Sequence, residues 1–188
     1  MGLCSAPNVV RADRRPCPSG SSHPCREPAG FYEESERALH RARRSGAPLS
    51  LLYVDVDDFK QINDSVGHQA GDDLLRVVAQ QLSSTRATDM AARLGGDEFV
   101  VLMPDTGADA AGEVVGRLQH RIETALAGHW NVTFSMGLVT FVVPPASVEE
   151  IIRRADDLMY SVKRDTKNAI RCLVVDGGQP SAALTPAG

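Results

Sequence analysis

The sequence predicts an α+β fold, a central and mostly antiparallel sheet flanked by helices. Three observations carry this. Strand-length aliphatic runs alternate with apolar stripes of helical period along residues 31–175. A Gly95-Gly96 dipeptide separates two short apolar segments, as at a tight hairpin. The resulting order, a helix, then β, helices, β-hairpin, α, β, α, β, suits a sheet covered by helices.

The elements follow in order. FYEESERALHRARRSG reads as a lead-in helix ending at Gly46. LSLLYVDV is a buried strand rich in aliphatics. After FKQIND and a GHQAG break, Leu74, Leu75, Val78 and Leu82 form one helical stripe. MAARL and EFVVLM make the hairpin. Val114, Val115, Leu118, Ile122 and Leu126 mark another amphipathic helix. NVTFSMGLVTF is a strand, interrupted at Gly137. Val148, Ile151, Ile152, Ala155, Leu158, Met159 and Val162 mark a further helix, and AIRCLVV the last strand.

Residues 1–28 and 177–188 are expected to be disordered, leaving a folded unit over 29–176. The leader is Pro/Ser-rich and carries Arg11, Arg14, Arg15 and Arg26 against Asp13 and Glu27, with little periodic hydrophobicity. The tail reads GGQPSAALTPAG. Net charge is −4 over 188 residues, which argues against nucleic-acid and membrane-surface partners. The longest apolar runs are too short to span a bilayer, and the N-terminus lacks a signal-peptide core, so a cytoplasmic location is expected. Cys4, Cys17, Cys25 and Cys172 fit no zinc spacing and read as unpaired thiols in a reducing compartment.

The polar residues that break the apolar pattern hold the chemistry. The first strand ends in Asp55-Val56-Asp57-Asp58, and strand alternation puts Asp55 and Asp57 on one face. Carboxylates leaving a buried strand must be solvated or bound to a cation. The hairpin tip presents Asp97-Glu98 after the two glycines. If strand and hairpin are neighbours, Asp55 and Asp97 can share a divalent ion, and hard oxygen ligands favour magnesium. Gly95 and Gly96 leave backbone open to a triphosphate. There is no P-loop and no G-x-G-x-x-G. Each feature has a plainer reading alone: a solvated turn, a good hairpin tip, a surface Lys60, a helix-ending Asn63-Asp64.

Their joint order is more specific. YVDVDDFKQINDSVGHQAGDDLL followed by ARLGGDEFVVLMP resembles the GGDEF family of diguanylate cyclases, and VTFSMGL and RRADDLMYSVKRDTKNAI resemble its closing segments. The resemblance covers nearly all of 31–175. It implies a palm-like fold, related to adenylyl cyclases and polymerase palms, that condenses two GTP into cyclic di-GMP and pyrophosphate. It implies that Asp55, Asp97 and the Val56 carbonyl ligate Mg2+ (or Mn2+). Asp97 and Glu98 then help deprotonate the ribose 3′-hydroxyl, and Asn63 and Asp72 read the guanine edge. Phe59 and Lys60, with Gly95 and Gly96, border the triphosphate, while Lys163 and Lys167 reach its phosphates. A homodimer is implied, because the two GTPs meet across a two-fold interface.

The resemblance also implies a product-inhibition site. Arg86-Ala87-Thr88-Asp89 has the family's RxxD spacing ahead of Gly95, and Arg117 falls where a second arginine is expected. Cyclic di-GMP would bind there, on the same continuous strand as the signature hairpin. The plain reading of Arg86 and Asp89 is a surface ion pair.

Three departures stand out. The family's opening D-x-L-T-x-L-x-N-R is replaced by SSHPCREPAG. The usual A-K-x-x-G-R-N reads V-K-R-D-T-K-N, so Thr166 stands for a turn glycine and Lys167 for an arginine. No sensory domain precedes the folded unit in this sequence. The alternative function is therefore a catalytically degenerate domain that binds GTP or cyclic di-GMP as an effector.

Overall fold

The computed structural model describes residues 28–177 and 179–181. The expected disorder of the leader and of the last seven residues lies outside the described part, apart from Pro28. The elements are α1 (Pro28–Ser45), β1 (Leu49–Val56), α2 (Phe59–Val66), α3 (His68–Ser83), β2 (Met90–Arg93), β3 (Glu98–Pro104), α4 (Ala108–Leu126), β4 (Phe134–Phe141), α5 (Val148–Asp165), β5 (Ala169–Asp176) and β6 (Gln179–Ser181).

The sheet runs β2-β3-β1-β4-β5-β6. Every pairing is antiparallel except β4 with β5, which α5 joins as a parallel crossover. β1 lies at the centre and all eight of its residues are buried, as its continuous aliphatic run requires. Alternation divides its side chains between two cores. Leu52, Val54 and Val56 pack with the α3 stripe and with Val114, Leu118 and Ile122 of α4. Leu51 and Tyr53 pack with Phe31 and Leu39 of α1 and Ile151 and Met159 of α5. Each fully buried Leu or Phe contributes about 1.5–3 kcal/mol, so both faces help hold the sheet.

Four details differ from the expectations. The GHQAG segment is no break: α3 starts at His68, and only Gly67, at φ 89°, separates it from α2. β4 starts at Phe134 and runs unbroken through Gly137, which is paired to Tyr53 on one side and Arg171 on the other. The reason for that glycine is contact: a Cβ there would lie 2.4 Å from the Ala155 carbonyl oxygen and 2.6 Å from the Met159 nitrogen. Gly137 thus lets α5 lie directly on the sheet. Thr166 has φ −132°, a conformation open to any residue, so its position needs no glycine. Finally, residues 179–181, assigned to the unstructured tail, form β6 against β5.

Among the described residues, no helix is long and apolar enough to cross a membrane.

Candidate active site

One end of the sheet gathers most of the charged residues singled out from the sequence. β1 and β3 are adjacent, with Asp55 opposite Glu98, and the Val56 N–H donates to the Asp97 carbonyl at 3.2 Å. The condition for Asp55 and Asp97 to share an ion, neighbouring elements, is therefore met. Asp55 is only 3% exposed. Helix α5, seated on Gly137, brings Lys163 across to it: the ammonium donates to both carboxylate oxygens, at 2.7 and 2.8 Å. Lys167, just beyond the same helix, makes the same two-pronged contact with Asp58, at 2.8 and 2.9 Å, on the surface.

Burial pushes the Asp55 carboxyl above its ordinary range; Lys163 opposes this, and the neighbouring Asp97 and Asp57 charges add to it. Burial works against the Lys163 ammonium too, but Asp55 and then Asp97 and Asp57 outweigh it and hold this lysine above its usual value. Burial also raises Glu98, followed by repulsion from Asp156, Asp55 and Asp97. The sheet end is thus crowded with negative charge around one ammonium.

Asp57 shares the face of Asp55 yet serves a different purpose. Its carboxylate accepts from the hydroxyls of Thr133 and Ser135, both at 2.7 Å, and from the Asn168 N–H at 3.1 Å. It ties β1 to the starts of β4 and β5. Partners 76 to 111 residues away give no local sequence signal.

The hairpin tip is braced by Arg93, whose guanidinium donates to the carbonyls of Gly95 and Gly96. The sequence reading did not single out this arginine. The expected hairpin forms, with β2 paired to β3 and the Leu94 N–H donating to the Glu98 carbonyl at 3.0 Å, and neither glycine takes a left-handed φ in it. Gly95 lies against Glu98: a Cβ there would meet the tip of the Glu98 carboxylate at 2.4 Å, so that flexible side chain would have to move. Gly96 faces open space.

The residues expected to meet guanine lie on the α2–α3 pair that follows β1. Asn63 is packed so closely on Gly71 that a Cβ there would sit 1.9 Å from its Oδ1, with the Phe59 ring behind. That Oδ1 is buried and has no hydrogen-bond partner. Gly71 is a second residue the sequence reading missed. Lys60 and Asp72 are exposed on the same two helices.

Among the described residues, no three His, Cys, Asp or Glu side chains converge into a metal cage. A site of two carboxylates that relies on substrate phosphates for its other ligands suits magnesium, and Asp55 with Asp97 fits that pattern. Lys163 already shows that the Asp55 carboxylate takes a cation on both oxygens.

The remaining three residues meet elsewhere. Arg86, Asp89 and Arg117 line one concavity of about 230 Å³, together with Val114, Leu118 and Arg121. Val114 and Leu118 belong to the core on the face opposite Asp55. Arg86 to Asp89 form a turn: the Asp89 N–H donates to the Arg86 carbonyl at 3.0 Å, and the Arg86 N–H to the Asp89 carboxylate at 3.2 Å. The segment is therefore off the strand that was expected to carry it, and leads directly into β2, the first strand of the hairpin.

The chain matches the family model described as "Diguanylate cyclase, GGDEF domain" over residues 28–169. The chain belongs to the GGDEF family. This GGDEF domain is 39% identical over 139 residues to the response regulator PleD of Caulobacter vibrioides, covering 70% of this chain and 31% of that protein. It is 39% identical over 127 residues to diguanylate cyclase A of Treponema denticola, covering 65% of this chain and 34% of that one. The chain thus spans about a third of the length of these relatives. Among solved structures it resembles the GGDEF domain of DgcB from Caulobacter crescentus, crystallised with c-di-GMP. The TM-score is 0.71 at 27% identity, over 85% of this chain and 97% of that one. These neighbours share the palm-like fold.

Proposed function

We propose that this GGDEF domain is a diguanylate cyclase, joining two GTP molecules into cyclic di-GMP with release of two pyrophosphates. The observation that carries the reading is the sheet end, where Asp55 and Asp97 lie on adjacent backbone and Lys163 reaches in from α5. Magnesium or manganese, bound by Asp55, Asp97 and the Val56 carbonyl, would neutralise the triphosphate and acidify the ribose hydroxyl there.

The chain's own groups divide the work. Asp97, with Glu98 beside it, orients the 3′-hydroxyl and accepts its proton. The freed oxygen bonds to the α-phosphorus of the second GTP, and the bond from that phosphorus to the β-phosphate oxygen breaks. Lys163 and Lys167 hold the departing phosphates, each leaving an aspartate to do so, and Lys60 and the Gly95-Gly96 backbone border the same chain. Phe59 borders that phosphate chain with Lys60, its ring lying behind the Asn63–Gly71 contact. Asn63 supplies its orphaned acceptor to a guanine donor, and Asp72 accepts from the N1–H and exocyclic amine. Each copy holds one GTP, so two copies must meet face to face, and a homodimer is the working form. Product then binds at Arg86, Asp89 and Arg117 and inhibits.

The test is to incubate purified chain with GTP and magnesium and to chromatograph the nucleotides. Cyclic di-GMP with two pyrophosphates per molecule is expected. GTP bound but recovered unchanged would overturn the cyclase reading in favour of a non-catalytic effector, the outcome to which the replaced opening motif points.

A further inference from the structure

We propose that Arg121 is the positioning residue of the arginine-lined cleft: it presets Arg86 relative to Arg117 and so sets the affinity for a bis-phosphate nucleotide. This rests on the reading of that cleft as the cyclic di-GMP site.

The argument starts from the end of α3. The last carbonyls of a helix have no intrahelical donor. Here two outward carbonyls at the exit are taken by one side chain from α4: the Arg121 guanidinium donates to Ser84 O at 2.9 Å and also to Gln81 O. Within the exit itself, the Ser84 N–H and hydroxyl also donate to Gln81 O, at 3.3 and 2.9 Å, so Ser84 O is the carbonyl for which Arg121 matters most. The chain then enters the Arg86–Asp89 turn and, at Met90, the sheet. The turn is therefore pinned at both ends, by Arg121 before it and by β2 pairing after it.

Arg117 stands one helical turn before Arg121 on the same helix, and both line the cleft. Fixing Arg121 to the α3 exit thus fixes the span between Arg117 and the turn that carries Arg86. Arg86 and Arg117 are exposed, whereas Arg121 is half-buried with its donors committed to carbonyls. It acts through the others. The cleft also keeps one buried acceptor without a partner, Asp89 Oδ1. A guanine N–H donor is the kind of group that would satisfy it. Lysine cannot span two carbonyls as a planar fork does, so charge alone does not replace this residue.

The test is calorimetric titration of cyclic di-GMP into the full chain as wild type, Arg121→Gln, Arg121→Lys and Arg86→Ala. It is paired with hydrogen exchange of residues 84–89 and with the initial rate on GTP. Arg121→Gln is expected to weaken binding about tenfold, with Arg121→Lys in between, at an unchanged initial rate. Exchange at 84–89 should quicken in the free glutamine variant and slow again on saturation, which a purely structural defect would not reverse. Wild-type affinity in Arg121→Gln, or in Arg121→Lys, overturns the positioning role alone. A wild type that does not bind, or an Arg86→Ala that binds equally, overturns the reading of the cleft and the proposal with it.

Discussion

The sheet end and the arginine cleft, the two regions proposed to take phosphate, carry opposite charge economies. At the sheet end each lysine is already neutralised, Lys163 by a buried Asp55 and Lys167 by an exposed Asp58. In the cleft, Arg86 and Arg117 are exposed, and the nearest carboxylate to Arg117 is Glu113 at 3.7 Å along the same helix. A phosphate entering the first region must exchange partners, and the carboxylates it releases need a cation in turn. A phosphate entering the second would meet exposed arginines held only loosely, Arg117 by Glu113 and Arg86 beside Asp89, onto which it could accept a guanidinium fork. On the proposed function, the first arrangement would tie binding to the arrival of metal with nucleotide, and the second would take an anion directly.

The largest expected effect probes whether the sheet end also reads the base. GTP should be preferred over ATP by about 10⁴-fold in kcat/KM, because adenine leaves Asn63 and Asp72 without their donors. Asp72→Ala should erase most of that ratio, while cyclic di-GMP affinity at the cleft stays put. Equal use of ATP by the wild type would remove both residues as guanine readers.

Next in size is a dissociation of the two regions. Asp97→Ala should lower turnover about hundredfold or more, since it removes a metal-held contact at the reacting oxygen. The same variant should bind cyclic di-GMP as the wild type does and melt within a degree or two of it. A parallel loss of binding at the cleft would mean that the regions are one unit.

The sequence showed the first region more fully than the second. The strands and helices were visible from periodicity, because each face of the sheet carries its own apolar set, apart from α2, which buries no residue, and β6, read as tail. Asp55, Asp97 and Glu98 were found because charges at strand ends violate that pattern. Arg93, Gly71 and Arg121 were missed, and Asp57 was named without its structural tie. Asp57 and Arg121 act on groups that only the fold brings near, such as Arg121 on carbonyls 37 and 40 residues away, whereas Arg93 acts locally on the hairpin carbonyls, where its residue type alone gives no signal. Gly137 was seen and misread as an interruption: a glycine in a strand signals a break or a close approach, and only the position of α5 decides between them. Thr166 was likewise suspected on its residue type, whereas the left-handed residues of that turn are Lys167 and Asn168.

A smaller effect compares the two lysines of the sheet end. Lys163→Met leaves Asp55 buried without its partner and should cost about 1–3 kcal/mol in urea unfolding, the carboxyl escaping part of the penalty by taking a proton. Lys167→Met breaks an exposed pair of similar length and should cost roughly 0–0.5 kcal/mol. Both should weaken GTP binding. Equal stability losses would show that burial of Asp55 has no bearing on its pairing.

The smallest effect reads the charge crowding itself, along α5. Asp156 is half-buried near its middle, and burial, then the Asp157 charge, raises its carboxyl. It also repels Glu98. With the folded value raised, the native state holds more protons than the unfolded chain. This group's stability is complete below the ordinary carboxylate range and is lost as pH rises through the raised value. Asp156→Asn removes that loss, so it should raise the melting temperature at neutral pH by about 1–2 °C, the gain vanishing near about pH 4. Glu150, at the start of the same helix, is the counterweight. Its slight burial is outweighed by the Ala146 N–H at 3.3 Å and by Arg154 at 3.0 Å, and its carboxyl is lowered. Its contribution is present above the ordinary range and is lost as pH falls through the lowered value. Glu150→Gln should therefore lower the melting temperature at neutral pH, the deficit shrinking as pH falls below the ordinary carboxylate range. Melting curves of the two variants between about pH 3 and 8 should move in opposite directions from the wild type. Two curves shifted the same way would mean that the negative charge at the sheet end is relieved within the fold, and that the contrast with the arginine cleft is one of exposure alone.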